Sequence, residues 1–228
     1  MKSIVIKIGG HILPTPPNFN VDKIREYAGI LKKAWKDGFK ITIVVGGGET
    51  ARTYVKAAEE LNASEAIKDQ LGIEATRLNA KLLALALGEA ASQTIPENIK
   101  EIIEAAEKKK IIVLGGLQPG QSTDAVAAIT AEITKAEIMI KATDVKGVYT
   151  TDPKKNRNAK FIPEMKIKDL IQIIIEEEIK AGKYKLIDPI ALKILERSKI
   201  PLRIIDGRNP ENILKAIKGE NIGTLVKP

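Results

Sequence analysis

The sequence predicts an α/β sandwich with a largely parallel central sheet. Short, apolar, β-branched segments alternate with longer segments whose apolar residues recur at helical spacing, which is the pattern of repeated β-turn-α units. Residues 39–45 are almost continuously apolar, as is typical of strands buried on both faces of a parallel sheet. Glycines directly follow several of these segments, so the strands are expected to end in tight turns.

The individual elements follow from this periodicity and from the turn residues between them. Strands are expected at 3–8, 39–45, 111–114, 137–142, 202–206 and 223–226. Helices are expected at 21–35, 49–88 with a break at 61–64, 97–110, 124–135, 167–177, 188–199 and 210–218. Asn20 is placed to cap the first helix and Gly38 to end it. Loops are expected up to residue 20, where prolines are frequent, and at 152–163.

Composition excludes several classes of protein. The 228 residues include no cysteine and a single histidine, which excludes disulfides, cysteine nucleophiles and His-based metal sites or triads. No apolar run approaches the roughly 18 residues of a membrane span, and the first residues are expected to form a strand, not a signal peptide. These features favour a cytoplasmic protein. Any metal is expected to be a hard ion such as Mg²⁺, held by oxygens together with substrate phosphates.

The formal net charge of +8 indicates anionic partners. Only four tyrosines, three phenylalanines and one tryptophan are available to stack on bases, and there is no basic low-complexity tail. Small phosphorylated ligands explain the charge as well as nucleic acid does. We therefore expect neither a nucleic acid nor a membrane as the partner.

Glycine-rich turns follow three predicted strands, at Gly9-Gly10, Gly46-Gly47-Gly48 and Gly115-Gly116. Ligands of open α/β sheets bind outside the carboxyl ends of the strands, where glycines let backbone N–H groups approach phosphate oxygens. The helix after the triple glycine also presents its N-terminus and Arg52. The sequence therefore predicts a nucleotide or polyphosphate site at this edge.

Two familiar phosphate-binding fingerprints do not account for these glycines. No G-x-x-x-x-G-K-[ST] motif occurs, which excludes a Walker-type loop. Gly46-x-Gly48-x-x-Ala51 matches the loose dinucleotide pattern, but Asp69, at the expected distance, lies in a helical stretch instead of at the end of a second strand. A dehydrogenase interpretation is therefore disfavoured.

Three further segments carry polar groups near predicted strand ends. Lys7 lies just before the first glycine turn, where it can clamp a phosphate or lie exposed on an edge strand. Ser122-Thr123-Asp124 supplies a helix cap, and its hydroxyl and N–H groups can also bind an anion. Tyr149 follows the strand at 137–142 amid polar residues, which suits a base and ribose or ordinary packing.

Together these residues resemble the amino acid kinase superfamily and, within it, the archaeal-type uridylate (UMP) kinases. The resemblance covers essentially the whole chain. It is carried by Lys7-Ile8-Gly9-Gly10, Val45-Gly46-Gly47-Gly48 with Ala51-Arg52, the segment Gly115–Asp124 with its Gln-Pro-Gly-Gln-Ser-Thr loop, Thr143-Asp144-Val145-x-Gly147-Val148-Tyr149-x-x-Asp152-Pro153, and Ile187-Asp188-Pro189.

The resemblance implies a three-layer αβα sandwich, an amino acid kinase-like fold, in which UMP and ATP meet over the carboxyl edge of the sheet. The expected UMP contacts are Gly47, Asp69, Leu117, Gln118, Pro119, Gly120, Gln121, Ser122 and Thr123. The expected ATP contacts are Gly9, Gly10, His11, Gly48, Arg52, Thr143, Asp144, Tyr149 and Asp152. The expected catalytic residues are Lys7, Arg52 and Asp124.

The roles that the resemblance implies differ among these residues. Lys7 is expected to steady the transferring phosphoryl group, and Asp124 to organise lysine or Mg²⁺. His11 receives no catalytic role, and no residue is directly assigned as a metal ligand. The implied reaction is direct in-line transfer from ATP to UMP, giving UDP in pyrimidine biosynthesis.

The resemblance also implies a homohexamer built from dimers. We expect a single domain over 1–228, with an acceptor-nucleotide lobe at about 1–150 and an ATP-binding lobe at about 151–228. Isopentenyl phosphate kinases, carbamate kinases and a non-catalytic nucleotide-binding protein remain the alternatives. No histidine accompanies the triple glycine, which disfavours the first, and the loop at 117–123 disfavours the second.

Overall fold

The computed structural model describes residues 2–13, 20–153, 155–179 and 186–228. The strands in these ranges are β1 (Ser3–Ile8), β2 (Lys40–Val45), β3 (Ile112–Leu114), β4 (Ile138–Thr143), β5 (Val148–Tyr149), β6 (Phe161–Ile162), β7 (Glu164–Lys166), β8 (Leu202–Asp206) and β9 (Thr224–Lys227). The α-helices are α1 (Val21–Lys36), α2 (Gly48–Glu60), α3 (Glu65–Leu87), α4 (Ile99–Ala106), α5 (Thr123–Ile133), α6 (Ile167–Ile179), α7 (Pro189–Ser198) and α8 (Glu211–Ile217). The loop predicted up to residue 20 lies largely outside the described ranges.

The strands of the described chain form one seven-stranded sheet in the order β3-β2-β1-β4-β8-β9-β7. The first five run parallel, β9 is antiparallel to β8, and β7 is parallel to β9. Strands β5 and β6 form a separate antiparallel pair. The prediction of a largely parallel sheet is therefore confirmed.

Helices cover both faces of this sheet, because its strands are apolar on both sides. In β1, Ile4, Ile6 and Ile8 belong to a core that includes residues of α1, α3 and α8, whereas Val5 belongs to a second core with α4, α5, α6 and α7. Alternate side chains of a strand point to opposite faces, so the two cores are the two sides of one sheet. The structure is thus a three-layer αβα sandwich, as predicted.

Helix α1 shows how local sequence sets the boundaries of an element. Asn20 accepts a hydrogen bond from the Lys23 N–H at 2.9 Å, which caps the first turn as predicted. Tyr27 and Leu31 are fully buried beneath it, four residues apart on one helical face. The chain leaves the helix through Gly38, whose φ of +93° suits glycine.

The structure corrects several predicted boundaries. The long helix at 49–88 is divided into α2 and α3 at the predicted break, where Asn62 takes φ = +59°. The helix predicted at 97–110 extends over 99–106, because Asn98 caps it by accepting from the Glu101 N–H. The loop predicted at 152–163 contains strand β6, which pairs with β5, and β7 was not predicted. Within the described residues, no helix is both long and apolar enough to cross a membrane.

Candidate active site

The carboxyl ends of five strands meet at one edge of the sheet. Because β3, β2, β1, β4 and β8 are parallel, the turns that follow them lie side by side there. These turns begin at Gly115, Gly46, Gly9, Asp144 and Gly207. Such an edge is where open α/β sheets bind their ligands, so we take it as the candidate active site.

The glycine turns after β1 and β2 are packed backbone against backbone. A Cβ added to Gly10 would lie 2.0 Å from the Gly48 nitrogen, and one added to Gly46 would lie 2.7 Å from the Gly10 nitrogen. No other residue type fits at such distances without moving one of the two chains. Gly48 also takes φ = +62° as it begins α2. The glycines therefore bring the start of α2 close to the end of β1.

Buried polar side chains of α3 hold these turns from below. The Asn79 amide donates to the carbonyls of Gly46 at 3.0 Å and Gly47 at 3.1 Å. The Thr76 hydroxyl accepts from the Gly116 N–H at 2.6 Å. Asn79 and Thr76 are each 6% exposed, so these hydrogen bonds form in the interior. Helix α3 thus fixes the turns after β2 and β3 relative to each other.

The predicted acceptor loop at 117–123 is anchored at both ends. Asp69 of α3 accepts from the Gly120 N–H at 2.8 Å, and Gly120 takes φ = +79°. Ser122 caps α5 by accepting from the Ala125 N–H at 3.0 Å, which confirms the predicted cap. The Ser122 hydroxyl also donates to Asp188, the residue that caps α7. The structure therefore brings Asp69 and the loop together, as expected for residues that share a ligand.

Two lysines and a carboxylate form a buried cluster beside the glycine turns. Lys7 of β1 and Lys141 of β4 are register partners on neighbouring strands and point to the same face of the sheet. Asp124, in the first turn of α5, lies between them: its Oδ1 is 3.4 Å from the Lys7 Nζ, and its Oδ2 accepts from the Lys141 Nζ. All three residues are at most 8% exposed. We call this group the two-lysine cluster.

The charges of the two-lysine cluster act on the pKa values of its members. Burial by itself raises the pKa of Asp124, but Lys141, Lys7 and the Asp188 N–H outweigh it and lower the pKa to about 2. Burial lowers the pKa of Lys141 to about 8, although Asp124 opposes that change. Near neutral pH the cluster therefore carries two positive charges and one negative. The net positive charge, largely shielded from water, is suited to an anion at the sheet edge.

The turn after β4 contains the first residues expected on the ATP side. Thr143 is 6% exposed at the end of β4, and its neighbour Asp144 is partly exposed. The Asp144 Oδ1 lies 3.5 Å from the His11 Nε2, which links the turn after β1 to the turn after β4. Gly207 donates its N–H to the Thr143 carbonyl at 2.7 Å, and so joins the turn after β8 to the same group.

The remaining ATP-side candidates lie on or beside the β5–β6 hairpin and on α2. The Tyr149 ring meets the Phe161 ring edge-on, with centroids 5.6 Å apart. Asp152 follows β5 and accepts at its carbonyl from the Asn156 N–H at 3.0 Å. Arg52, on the first turn of α2, is turned toward solvent with 62% of its side chain exposed, and its guanidinium donates to Glu49 at 2.8 Å. Arg52 is therefore not part of the buried cluster.

Sequence reasoning missed three residues that build this site. Lys141 is the buried counterpart of Lys7, and Asn79 and Thr76 hold the glycine turns. A lysine within the apolar segment Ile138–Thr143 was the available signal for Lys141. The polar residues of α3 gave no comparable signal, because they occupy ordinary positions in a long helix.

The described residues do not fit a resident metal ion. None of them forms a group of three or more His, Cys, Asp or Glu side chains placed to hold one. Both oxygens of Asp124 face ammonium groups, so this carboxylate is engaged by lysine.

Comparison with known proteins agrees with this geometry. Residues 2–206 match the model of the amino acid kinase family. The uridylate kinase of Methanothrix thermoacetophila is 43% identical over 224 residues, which cover 98% of this chain and 99% of that protein. The uridylate kinase of Methanothermobacter thermautotrophicus is 44% identical over 225 residues, which cover 99% of each.

Solved structures show the same likeness. The crystal structure of uridylate kinase from Archaeoglobus fulgidus has a TM-score of 0.88 at 41% identity and covers 99% of this chain and 100% of its own. The UMP kinase of Bacillus anthracis has a TM-score of 0.82 at 22% identity, covers 99% of this chain and 96% of its own, and shares the fold. The chain therefore belongs to the amino acid kinase family, which confirms the resemblance predicted from the sequence.

Proposed function

We propose that this protein is a UMP kinase, which transfers the γ-phosphoryl group of ATP to UMP and so serves pyrimidine nucleotide synthesis. The observation that carries the proposal is the two-lysine cluster, buried at the edge where the glycine turns meet. Relatives named uridylate kinase that match nearly the whole chain support UMP as the acceptor.

The reaction needs positioning and charge neutralisation more than covalent chemistry. A phosphate oxygen of UMP forms a bond to the γ-phosphorus of ATP, the bond from that phosphorus to the β–γ bridging oxygen breaks, and ADP leaves with the electron pair. Phosphoryl transfer of this kind spreads negative charge over the transferring group. Two ammonium groups held in register by Asp124 can stabilise that charge without moving.

The two lysines have distinct surroundings that fit this role. Lys7 is the last residue but one of β1, which leads into Gly9 and Gly10, and the turn there packs on the start of α2. Lys141 lies two residues before the end of β4, whose last residue is Thr143 and which is followed by Asp144. The cluster therefore lies between the turn proposed for the ATP phosphates and the turn proposed for the ATP base and ribose. We propose Lys141 as a third catalytic side chain beside Lys7 and Asp124.

The nucleotides are proposed to occupy the positions that the family resemblance implies. UMP is assigned to Gly47, Asp69 and the loop at 117–123, and the Asp69–Gly120 hydrogen bond supports a shared ligand there. ATP is assigned to individual residues of the turns after β1 and β4, of α2 and of the segment that begins at β5, namely Gly9, Gly10, His11, Gly48, Arg52, Thr143, Asp144, Tyr149 and Asp152. The Arg52 guanidinium donates to Glu49 through Nε and Nη2, and we propose that its remaining N–H groups turn to a phosphate of ATP.

Mg²⁺ is proposed to enter with ATP. It would neutralise phosphate charge as part of the bound nucleotide, and the residues of this chain would hold the nucleotide rather than the ion. Asp124 serves the lysines in this proposal. This follows from its two ammonium contacts and its lowered pKa.

We also propose, from the family resemblance, a cytoplasmic homohexamer arranged as a trimer of dimers. The chain is proposed to be a single domain, with an acceptor lobe at about 1–150 and an ATP lobe at about 151–228. The continuous sheet, in which β8 pairs with β4, supports a single domain. Sedimentation of the full chain at several concentrations tests the hexamer.

A coupled assay of nucleoside diphosphate formation tests the function. The purified chain is given ATP and Mg²⁺ with UMP, CMP, isopentenyl phosphate or carbamate as the acceptor. We expect UMP to be the preferred acceptor, with UDP and ADP formed in equal amounts. Preference for isopentenyl phosphate or carbamate would assign the chain to another kinase of the fold, and binding of nucleotides without turnover would make it a non-catalytic binding protein.

A further inference from the structure

A cavity of about 400 Å³ opens where β8 and β9 meet the β5–β6 hairpin, away from the two-lysine cluster. It is lined by Arg203, Lys146, Phe161, Glu164, Asn221 and Leu225, among others. Its volume falls within the range of small-molecule sites. None of the residues that we assign to ATP or UMP contributes to its wall.

The sheet separates this cavity from the proposed transfer site. In β8, Ile205 belongs to the core of α1, α3 and α8, whereas Leu202 and Ile204 belong to the opposite core. Because side chains alternate along a strand, Arg203 points to the same face as Ile205. Lys7 lies between Ile6 and Ile8 of that first core and so points to the other face. The cavity is therefore a separate site.

Arg203 is a buried cation with no carboxylate of the described residues in direct contact, and Glu164 of the same wall acts on its charge only at longer range. It is 7% exposed, and no carboxylate of the described chain lies within 4 Å of its guanidinium. Its Nη1 donates to the Ile222 carbonyl at 2.9 Å, while its Nε is buried without a partner among the described residues. A guanidinium remains charged at any ordinary pH, and a buried charge is costly unless it is paired. This position therefore favours an anion.

The other walls of the cavity define the rest of the ligand. The Lys146 ammonium lies 4.8 Å from the centroid of the Phe161 ring and adds a second positive charge. Glu164, the one carboxylate among the lining residues named above, is paired with Lys227. Phe161 and Leu225 supply apolar surface. The net charge is positive, and the body of the ligand would meet an aromatic and an aliphatic side chain.

We propose that this cavity binds a small organic anion. Its carboxylate or phosphate group would bind Arg203 and Lys146, and its apolar or aromatic body would pack against Phe161 and Leu225. The site does not depend on UMP kinase activity, because it shares no residue with the proposed transfer site.

Isothermal titration of the full chain tests the proposal with phenyl phosphate and benzoate, which place either anionic group on one ring. Inorganic phosphate is the control anion, because it lacks an apolar or aromatic part. The variants are Arg203→Met and Lys146→Gln, with Lys100→Gln as a matched exposed lysine on α4 and Lys7→Gln for the transfer site. Thermal unfolding of each variant checks that it is folded.

Saturable binding of at least one ring-bearing anion is expected. Arg203→Met should weaken it about tenfold or more, as the loss of a charged hydrogen bond does, and Lys146→Gln severalfold. Lys100→Gln and Lys7→Gln should leave it unchanged. If Arg203→Met does not fold, the exposed Lys146 decides the outcome.

Three results would overturn the proposal. The first is no saturable binding of either ring-bearing anion. The second is binding that Lys7→Gln abolishes and Lys146→Gln leaves intact, which would place the probe at the transfer site. The third is an affinity for inorganic phosphate equal to that for the ring-bearing anions, which would show that the cavity does not recognise an apolar or aromatic body.

Discussion

Replacing Asp124 with asparagine removes the carboxylate that holds Lys7 and Lys141 together. Asparagine keeps the size of the side chain but leaves two ammonium groups, each at most 8% exposed, without their negative partner. Removing one member of a buried ion pair costs about 3–5 kcal/mol. At about 2–4 °C per kcal/mol for a chain of this length, the melting temperature should fall by about 6–20 °C.

Thermal and denaturant unfolding at neutral pH measure this cost. The matched control is Asp22→Asn, because Asp22 pairs with Arg25 at the surface with 85% of its side chain exposed. That control should cost less than about 1 kcal/mol. A double variant, Asp124→Asn with Lys141→Met, should be more stable than Asp124→Asn alone, since one of the two unpaired charges is gone.

Two results would refute this reasoning about Asp124. One is an Asp124→Asn variant no less stable than Asp22→Asn, which would mean that the buried charges are compensated in some other way. The other is simple additivity in the double variant, which would mean that Asp124 and Lys141 are not energetically coupled.

Two further predictions concern the charge of Lys141 and the contact of the glycine turns. The kcat/KM for ATP should fall above about pH 8, where Lys141 loses its proton. Lys141→Arg should move this fall to higher pH, because arginine stays protonated there. A fall at the same pH in the variant would exclude Lys141 as its source. Unfolding does not explain such a fall, because a lysine whose pKa is lowered on folding adds stability as the pH rises from about 8 toward its ordinary 10.5. Gly10→Ala should lower kcat/KM at least tenfold, because the added Cβ would lie 2.0 Å from the Gly48 nitrogen. Gly29→Ala is the control and should leave activity intact, because nothing lies within 4 Å of its added Cβ. Equal effects of the two substitutions would exclude steric contact as the cause.

The parallel sheet and the glycine edge could be predicted from the sequence, because each rests on local patterns. Apolar runs that end in glycine are visible one strand at a time, and parallel strands necessarily bring their ends together. The register between β1 and β4 could not be predicted in this way. It places Lys141 beside Lys7, although 134 positions separate them in the chain numbering. The sequence therefore indicated Lys7 but not Lys141.

Other features escaped prediction for different physical reasons. Strands β6 and β7 have two and three residues, too few for a periodic pattern, and are defined by pairing with β5 and β9. Asn79 and Thr76 act through hydrogen bonds to distant turns, which helical spacing does not reveal. The buried charge of Arg203 also had no signal in the sequence, because the predicted strand at 202–206 does not show which of its side chains are buried.

Single-turnover transfer from ATP to UMP tests the central claim most directly, namely that the two-lysine cluster acts on the transferring phosphoryl group. Lys7→Ala and Lys141→Met should each slow the chemical step about a hundredfold or more, with the Kd for UMP within about threefold of the original. Equal losses in the chemical step and in UMP affinity would place the lysines in substrate binding alone. An unchanged chemical step in both variants would contradict the proposed site.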